Sequence, residues 1–145
     1  MDIDWEDPAA VAGWLDEQRE QVCWYLQQIQ ADCHAPPAEA WYVAPYVALW
    51  QCRLQHEDHA LAWVISGDLP TDAIIDDSIE HPRDALQAFG DRFVQRARLL
   101  LGGRVPPEFE NELGDCTRER LAELGEMLMQ RGGLLQDTAY EGRNW

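Results

Sequence analysis

The segment WYVAPYVALWQCRL, residues 41–54, decides the fold because aromatic and branched apolar residues dominate it. Such residues favour β-strands, and Pro45 interrupts the run because proline has no backbone N–H for a sheet. A second apolar run at residues 60–65 follows the polar stretch QHEDH at residues 55–59. Two apolar runs joined by a short polar loop are typical of a β-hairpin. The pattern predicts this central hairpin and a weaker third strand at residues 73–75.

Helical patterns flank the strand region on both sides. Asp7 and Pro8 are typical of a helix start, and apolar residues recur at steps of three and four as far as Cys33. The pair Pro36-Pro37 cannot continue a helix, so this first helix is predicted to end near residue 35.

Further helices are predicted after the strands. One should run from residues 81–84 to Gly102-Gly103, and another from residues 115–117 to Gly132-Gly133, with one or two helical turns over residues 106–113. The order helix, strands, helices predicts an α+β fold, in which a small antiparallel sheet with a central hairpin packs against three or more helices. The length of 145 residues suits a single domain, residues 1–145.

The chain is strongly acidic, with 27 acidic residues, 11 basic residues and a formal net charge of −16. Such a field repels nucleic-acid phosphates and anionic lipids, so we expect neither nucleic acid nor a membrane as a partner. The sequence also lacks the run of about 18 apolar residues that a membrane span needs. The same field attracts a basic protein surface, although acidity can also serve solubility alone.

The four cysteines indicate a reducing compartment. None forms a C-x-x-C pair, and the acidic N-terminus is unlike a signal peptide. The sequence therefore predicts a cytoplasmic protein in which all four cysteines are free thiols. They are Cys23, Cys33, Cys52 and Cys116.

Four phrases along the chain resemble a bacterial family known as domain of unknown function 4826. They are WLDEQREQV at residues 14–22, YVAPYVALW at 42–50, WVISGDLPTD at 63–72 and HPRDALQAF at 81–89. The chain departs from the family pattern at residues 51–53, where an acidic phrase is expected, and at Ala73, where an aromatic residue is expected. The resemblance implies one intact domain, and it implies no activity and no catalytic residue.

The phrases GDLPTD and HPRD hold the first candidate cluster. Its members are Asp68, Asp72, His81, Arg83 and Asp84. Arg83 falls in the first turn of a predicted helix, where the helix dipole disfavours a cation. We expect Arg83 to bind Asp68 or Asp72 and to fasten the loop to the helix. The alternative is that Arg83 and the free helix N–H groups hold an anionic ligand.

The second candidate is an acidic surface. Residues 57–84 hold eight acidic residues and a single basic one, Arg83. The candidates for partner binding are Glu57, Asp58, Asp76, Asp77 and Glu80. His56 and His59 bracket two of these acids, but an i, i+3 histidine pair in a hairpin loop is only a weak metal motif, so we predict no metal and no cofactor.

These observations favour a small acidic cytoplasmic binding protein over an enzyme. We expect it to dock on a basic protein partner, as immunity proteins and inhibitors of nucleases or toxins do. The alternative is a small ligand-binding domain or an enzyme that uses the acid–arginine cluster. A closed pocket that joins Asp68, Asp72, His81 and Arg83 would favour the alternative, whereas a flat acidic face with exposed aromatic residues would favour the binding protein.

Overall fold

The structure is a computed structural model that describes residues 3–55 and 60–141. The chain divides into two compact units, with the boundary between Pro82 and Arg83. The elements of the first unit are α1 (Pro8–Gln28), β1 (Ala38–Val43), β2 (Val47–Arg53), β3 (Leu61–Gly67) and β4 (Asp72–Ile75). From the boundary onward follow α2 (Pro82–Leu101), a 3-10 turn (Pro107–Phe109), α3 (Glu110–Leu113) and α4 (Arg118–Glu141). The predicted α+β class is confirmed, and the single-domain organisation stays a prediction.

The four strands form one antiparallel sheet in the order β1-β2-β3-β4. The predicted central hairpin is the β2–β3 pair, in which Trp50 lies opposite Val64. Pro45 separates β1 from β2 and follows a cis peptide bond. The weakly indicated third strand is confirmed as β4, which pairs with β3.

Helix α1 covers one face of the sheet. Val22 and Leu26 pack in one core cluster with Trp50, Cys52 and Val64. The indole Nε1 of Trp50 donates a hydrogen bond to Ser66 Oγ at 3.1 Å, so these two buried polar groups satisfy each other. Side chains on a strand alternate between faces. Those of Leu49, Trp63 and Ile65 therefore point to the opposite face, and they are also fully buried.

The first helix begins as predicted but ends earlier. The Asp7 carboxylate caps it by accepting a hydrogen bond from Ala9 N at 3.3 Å. The helix ends at Gln28 and not near residue 35, because Gln30 adopts a positive φ of 58°. Ala31 N then donates to Leu26 O at 2.8 Å, which satisfies a terminal carbonyl. Cys33 can therefore form an isolated β-bridge with Leu54.

Helices α2 and α4 of the second unit approach closely at their glycines. A Cβ at Gly90 would come within 2.9 Å of Gly132 O, and a Cβ at Gly125 within 3.1 Å of Ala97 O. These two contacts show that α2 and α4 run antiparallel. The predicted end of α4 at Gly132-Gly133 is wrong, because the helix continues to Glu141. Gly132 allows close helix packing there and does not end the helix.

Candidate functional site

The GDLPTD phrase forms the connection between β3 and β4, and this connection is fastened to its neighbours. Asp68 N donates to Tyr46 O at 2.8 Å. Gly67 has a φ of +129°, and a Cβ there would overlap Tyr46 O. Gln21 Nε2 of α1 donates to Thr71 Oγ1 at 2.7 Å. The connection is therefore packed against both the β1–β2 turn and α1.

The two aspartates of this phrase lie in different environments. Asp72 is 6 % exposed, and its carboxylate accepts hydrogen bonds from Tyr25 Oη at 3.4 Å and from Ala73 N at 2.9 Å. Asp68 is exposed to solvent. Asp72 thus ties the sheet to α1, which is a structural role. A general acid and base need two carboxylates that both reach a substrate, and the burial of Asp72 does not favour that use.

The HPRD phrase spans the boundary between the two units. His81 is half-buried, and Arg83 Nε lies 3.9 Å from Asp84 Oδ1 at the start of α2. Arg83 and Asp84 also line an open cavity of about 280 Å³ with Gln87, Ala139 and Tyr140. The predicted pairing of Arg83 with Asp68 or Asp72 stays a prediction.

Residues 76–80, which we call the acidic loop, connect β4 to α2 and are held by a set of hydrogen bonds. Asp76 N donates to Leu61 O at 3.2 Å, and Leu61 N donates to Asp77 Oδ1 at 2.7 Å. The buried Trp63 donates from Nε1 to Ile79 O at 3.0 Å. Ile79 N donates to Asp76 O at 3.3 Å. The loop backbone is therefore fastened to the start of β3.

The acidic loop directs three carboxylates to solvent, since Asp76, Asp77 and Glu80 are all exposed. Ser78 donates to Asp76 Oδ1 from its hydroxyl at 2.6 Å and from its backbone N–H at 2.9 Å. Both hydrogen bonds lower the pKa of the Asp76 carboxyl below its usual value, and the one from the Ser78 hydroxyl has the larger effect. Arg53 Nη1 lies 3.6 Å from Asp77 Oδ1, but both side chains are more than half exposed, so water screens this pair.

Glu57, Asp58, His56 and His59 lie outside the described residues. Within residues 3–55 and 60–141, no three His, Cys, Asp or Glu side chains are grouped so that they could hold a metal ion.

The aromatic residues of the strands divide into buried and exposed ones. Trp50 and Trp63 are fully buried, whereas Tyr42 is 41 % and Tyr46 is 63 % exposed. Tyr46 lies beside Gly67 at the end of β3, whereas the acidic loop contacts its start. The exposed tyrosines and the acidic loop are therefore at opposite ends of the sheet.

The prediction that all four cysteines are free is wrong. Cys33 and Cys52 form a disulfide with a Cα–Cα distance of 5.9 Å, which is within the usual range. Cys23 and Cys116 are free. This pairing could not be predicted from the sequence, because the helical spacing of apolar residues extended the predicted first helix through Cys33. Only the early end of α1 brings Cys33 beside Leu54, and so beside Cys52.

An open cavity of about 540 Å³ lies beside this disulfide, and we call it the sulfur cavity. Its wall includes both sulfur-bearing residues Cys23 and Cys33. Its polar lining residues are Gln27, Asp32, His34 and Gln55, and its apolar ones are Leu26, Ala35, Pro36 and Pro37. Sequence patterns gave no signal for this cavity, because its wall comes from three separate segments.

Comparisons with known proteins gave one match. The model of a family described as "Domain of unknown function (DUF4826)" matches residues 9–145. The searches of curated proteins and of solved structures found no match. Separately, no helix in the described part of the chain is long and apolar enough to cross a membrane.

Proposed function

The chain belongs to the DUF4826 family, and we propose that it is a binding protein, not an enzyme, whose acidic loop docks on a basic protein surface. The family description assigns no activity. The observation that carries it is the fixed display of three exposed carboxylates, those of Asp76, Asp77 and Glu80.

The hydrogen bonds of the acidic loop favour binding because they reduce the ordering that a partner would have to impose. Two hydrogen bonds, one to Leu61 O and one from Trp63 Nε1, already fix the loop backbone, and a third, from Leu61 N, holds the Asp77 carboxylate. A loop that is ordered before binding loses less conformational entropy in the complex. Ser78 also donates two hydrogen bonds to Asp76 Oδ1, and these orient that carboxylate.

Charge complementarity identifies the class of partner. Arginine and lysine side chains bind carboxylates through short, charge-assisted hydrogen bonds. The net charge of −16 adds a long-range field that accelerates encounter with a basic surface. Nucleic acids and anionic lipids would be repelled by the same field. A basic protein is therefore the partner that the acidic loop fits.

A ligand-binding function is the second candidate, and the cavity beside Arg83 favours it. Its volume of about 280 Å³ is just below the lower end, about 300 Å³, of typical small-molecule sites. Asp84 competes with an anionic ligand for Arg83, because its Oδ1 lies 3.9 Å from Nε. Calorimetric titration with inorganic phosphate tests this candidate. Binding that Arg83→Ala abolishes would support it, and binding that Arg83→Ala leaves unchanged would contradict it.

The proposal is tested by affinity purification from the native host with three tagged proteins. The loop variant combines Asp76→Asn, Asp77→Asn and Glu80→Gln, which removes three charges but keeps side-chain acceptors for Leu61 N and Ser78. A control variant removes three charges from α4, at Glu119, Glu123 and Glu126, which are also exposed. All retained proteins are identified and quantified by mass spectrometry.

The expected result is one basic protein, retained in stoichiometric amount by the wild type and by the α4 variant. The loop variant should lose it. Equal retention by all three proteins would show that the acidic loop is not the docking site. Retention of an acidic protein would contradict the proposed class of partner.

A further inference from the structure

We propose that the Cys33–Cys52 disulfide is a thiol-exchange site, and that the sulfur cavity admits small cationic thiols to the Cys33 sulfur. This inference is independent of the acidic loop. It concerns a covalent modification at the segment that contains Asp32 and Cys33.

Access decides which sulfur is attacked. Cys33 lines the open sulfur cavity and is half-buried. Cys52 is only 3 % exposed and belongs to the core cluster beneath α1. Thiol–disulfide exchange requires direct approach of a thiolate to one sulfur, and the other sulfur leaves. An external thiol therefore reaches Cys33, and Cys52 is the leaving sulfur.

The size and charge of the cavity define the thiol. A volume of about 540 Å³ is typical of sites for small molecules. A cysteine on another protein could reach into this cavity only with the end of its side chain. Asp32 is an exposed carboxylate on the wall, and the chain carries a net charge of −16. A thiol that carries an ammonium group is attracted by this field, and one that carries a carboxylate is repelled. The substrate class is therefore a low-molecular-weight aminothiol.

The reaction balances without an external oxidant. The thiolate of the aminothiol forms a bond to the Cys33 sulfur, and the Cys33–Cys52 bond breaks. The electron pair of that bond leaves on Cys52, which takes up the proton that the aminothiol has lost. The products are a mixed disulfide on Cys33 and a free Cys52 thiol. That thiol finds an acceptor in Arg53 O, which lies 3.6 Å from Cys52 Sγ.

The backbone around Cys33 favours reversal of the reaction. His34 N donates to Arg53 O at 2.7 Å, and Gln55 N donates to Asp32 O at 2.9 Å. Gln55 Nε2 also donates to Cys33 O at 3.1 Å. None of these bonds involves the disulfide itself, so they hold Cys33 beside Cys52 after the bond has opened. Removal of the small thiol should therefore let the disulfide re-form.

The test compares two small thiols of similar size, cysteamine with an ammonium group and 3-mercaptopropionate with a carboxylate. Each reacts with the oxidised full chain at low salt, and rates are expressed per thiolate. Mass spectrometry of peptides locates the mixed disulfide. The variants are Asp32→Asn and, as a control at an exposed acid that does not line the sulfur cavity, Asp137→Asn.

We expect the label on Cys33, and cysteamine should react about tenfold faster than 3-mercaptopropionate. Asp32→Asn and high salt should both reduce this ratio, whereas Asp137→Asn should leave it unchanged. A label on Cys52, or equal rates for the two thiols, would overturn the proposal. So would four free thiols in protein purified without reductant.

Discussion

The backbone of Gly132 in α4 lies against the carbonyl oxygen of Gly90 in α2, so closely that a Cβ at position 132 would be 3.0 Å from that oxygen. The same Cβ would meet Val94 Cγ2 at 2.9 Å. The next residue, Gly133, has open space around its Cα, with nothing within 4 Å of an added Cβ. Of these two adjacent glycines, Gly132 is therefore packed closely against α2, whereas Gly133 has room for a side chain.

Alanine at these two positions should change stability in opposite directions. Gly132→Ala should lower the free energy of unfolding by about 1–3 kcal/mol, because the new methyl group pushes α2 and α4 apart. Gly133→Ala should raise it by up to about 1 kcal/mol, because alanine favours a helix and meets no neighbour. Urea denaturation of both variants measures the difference. Stabilisation by both substitutions would contradict the close packing.

The glycine pair also shows which parts of the fold the sequence cannot reveal. A Gly-Gly pair after an apolar helical pattern is typical of a helix end, so α4 was predicted to end at Gly132-Gly133. Whether a glycine ends a helix or permits close approach depends on what lies opposite, which is not a local property. The strands were predictable because Pro45 and the polar stretch at residues 55–59 mark their ends locally.

The candidate site, too, could be predicted from the sequence only in part. Local composition predicted Asp76, Asp77 and Glu80 as acids available for binding, and the structure places them on an exposed loop. It could not predict that Asp72 is buried against Tyr25, 47 residues away in sequence. The Cys33–Cys52 bond was missed for the same reason, since it depends on the early end of α1.

The buried and exposed aspartates of the GDLPTD phrase should respond differently to substitution. Asp72→Ala removes the acceptor for Tyr25 Oη and Ala73 N, and it should destabilise the protein by about 1–3 kcal/mol. Asp68→Ala removes an exposed side chain and should change stability by less than about 0.5 kcal/mol. Thermal or urea unfolding measures both values. Equal effects would contradict the structural role of Asp72.

The pKa of Asp76 should depend on the Ser78 hydroxyl. Ser78→Ala should raise this pKa toward its usual value, because the hydroxyl hydrogen bond is the larger cause of its depression. Ser78→Thr keeps a hydroxyl and should leave it low. Because the pKa of Asp76 is lower in the folded protein than in the unfolded chain, its carboxylate stabilises the folded state at pH values above the unfolded pKa. This stabilisation is lost as the pH falls through the folded pKa. NMR titration of the carboxyl group decides, and an unchanged pKa in Ser78→Ala would disprove the contact.

The disulfide should stabilise the fold by restricting the unfolded chain. It links residues separated by 19 positions, and a loop of that length corresponds to about 3 kcal/mol. The double variant Cys33→Ala, Cys52→Ala should lose about this much in urea unfolding, apart from a smaller loss of packing at Cys52. Cys116→Ala, at a free cysteine, is the control. Identical unfolding midpoints for the oxidised and reduced wild type would contradict the bond.

The decisive measurement is the association rate of the purified basic partner with the wild type, the loop variant and the α4 variant over a range of salt concentrations. At low salt the loop variant should associate about tenfold more slowly than the α4 variant, although both have lost three charges. The difference should shrink as salt screens the field. Equal association rates for the two variants at every salt concentration would contradict docking by Asp76, Asp77 and Glu80.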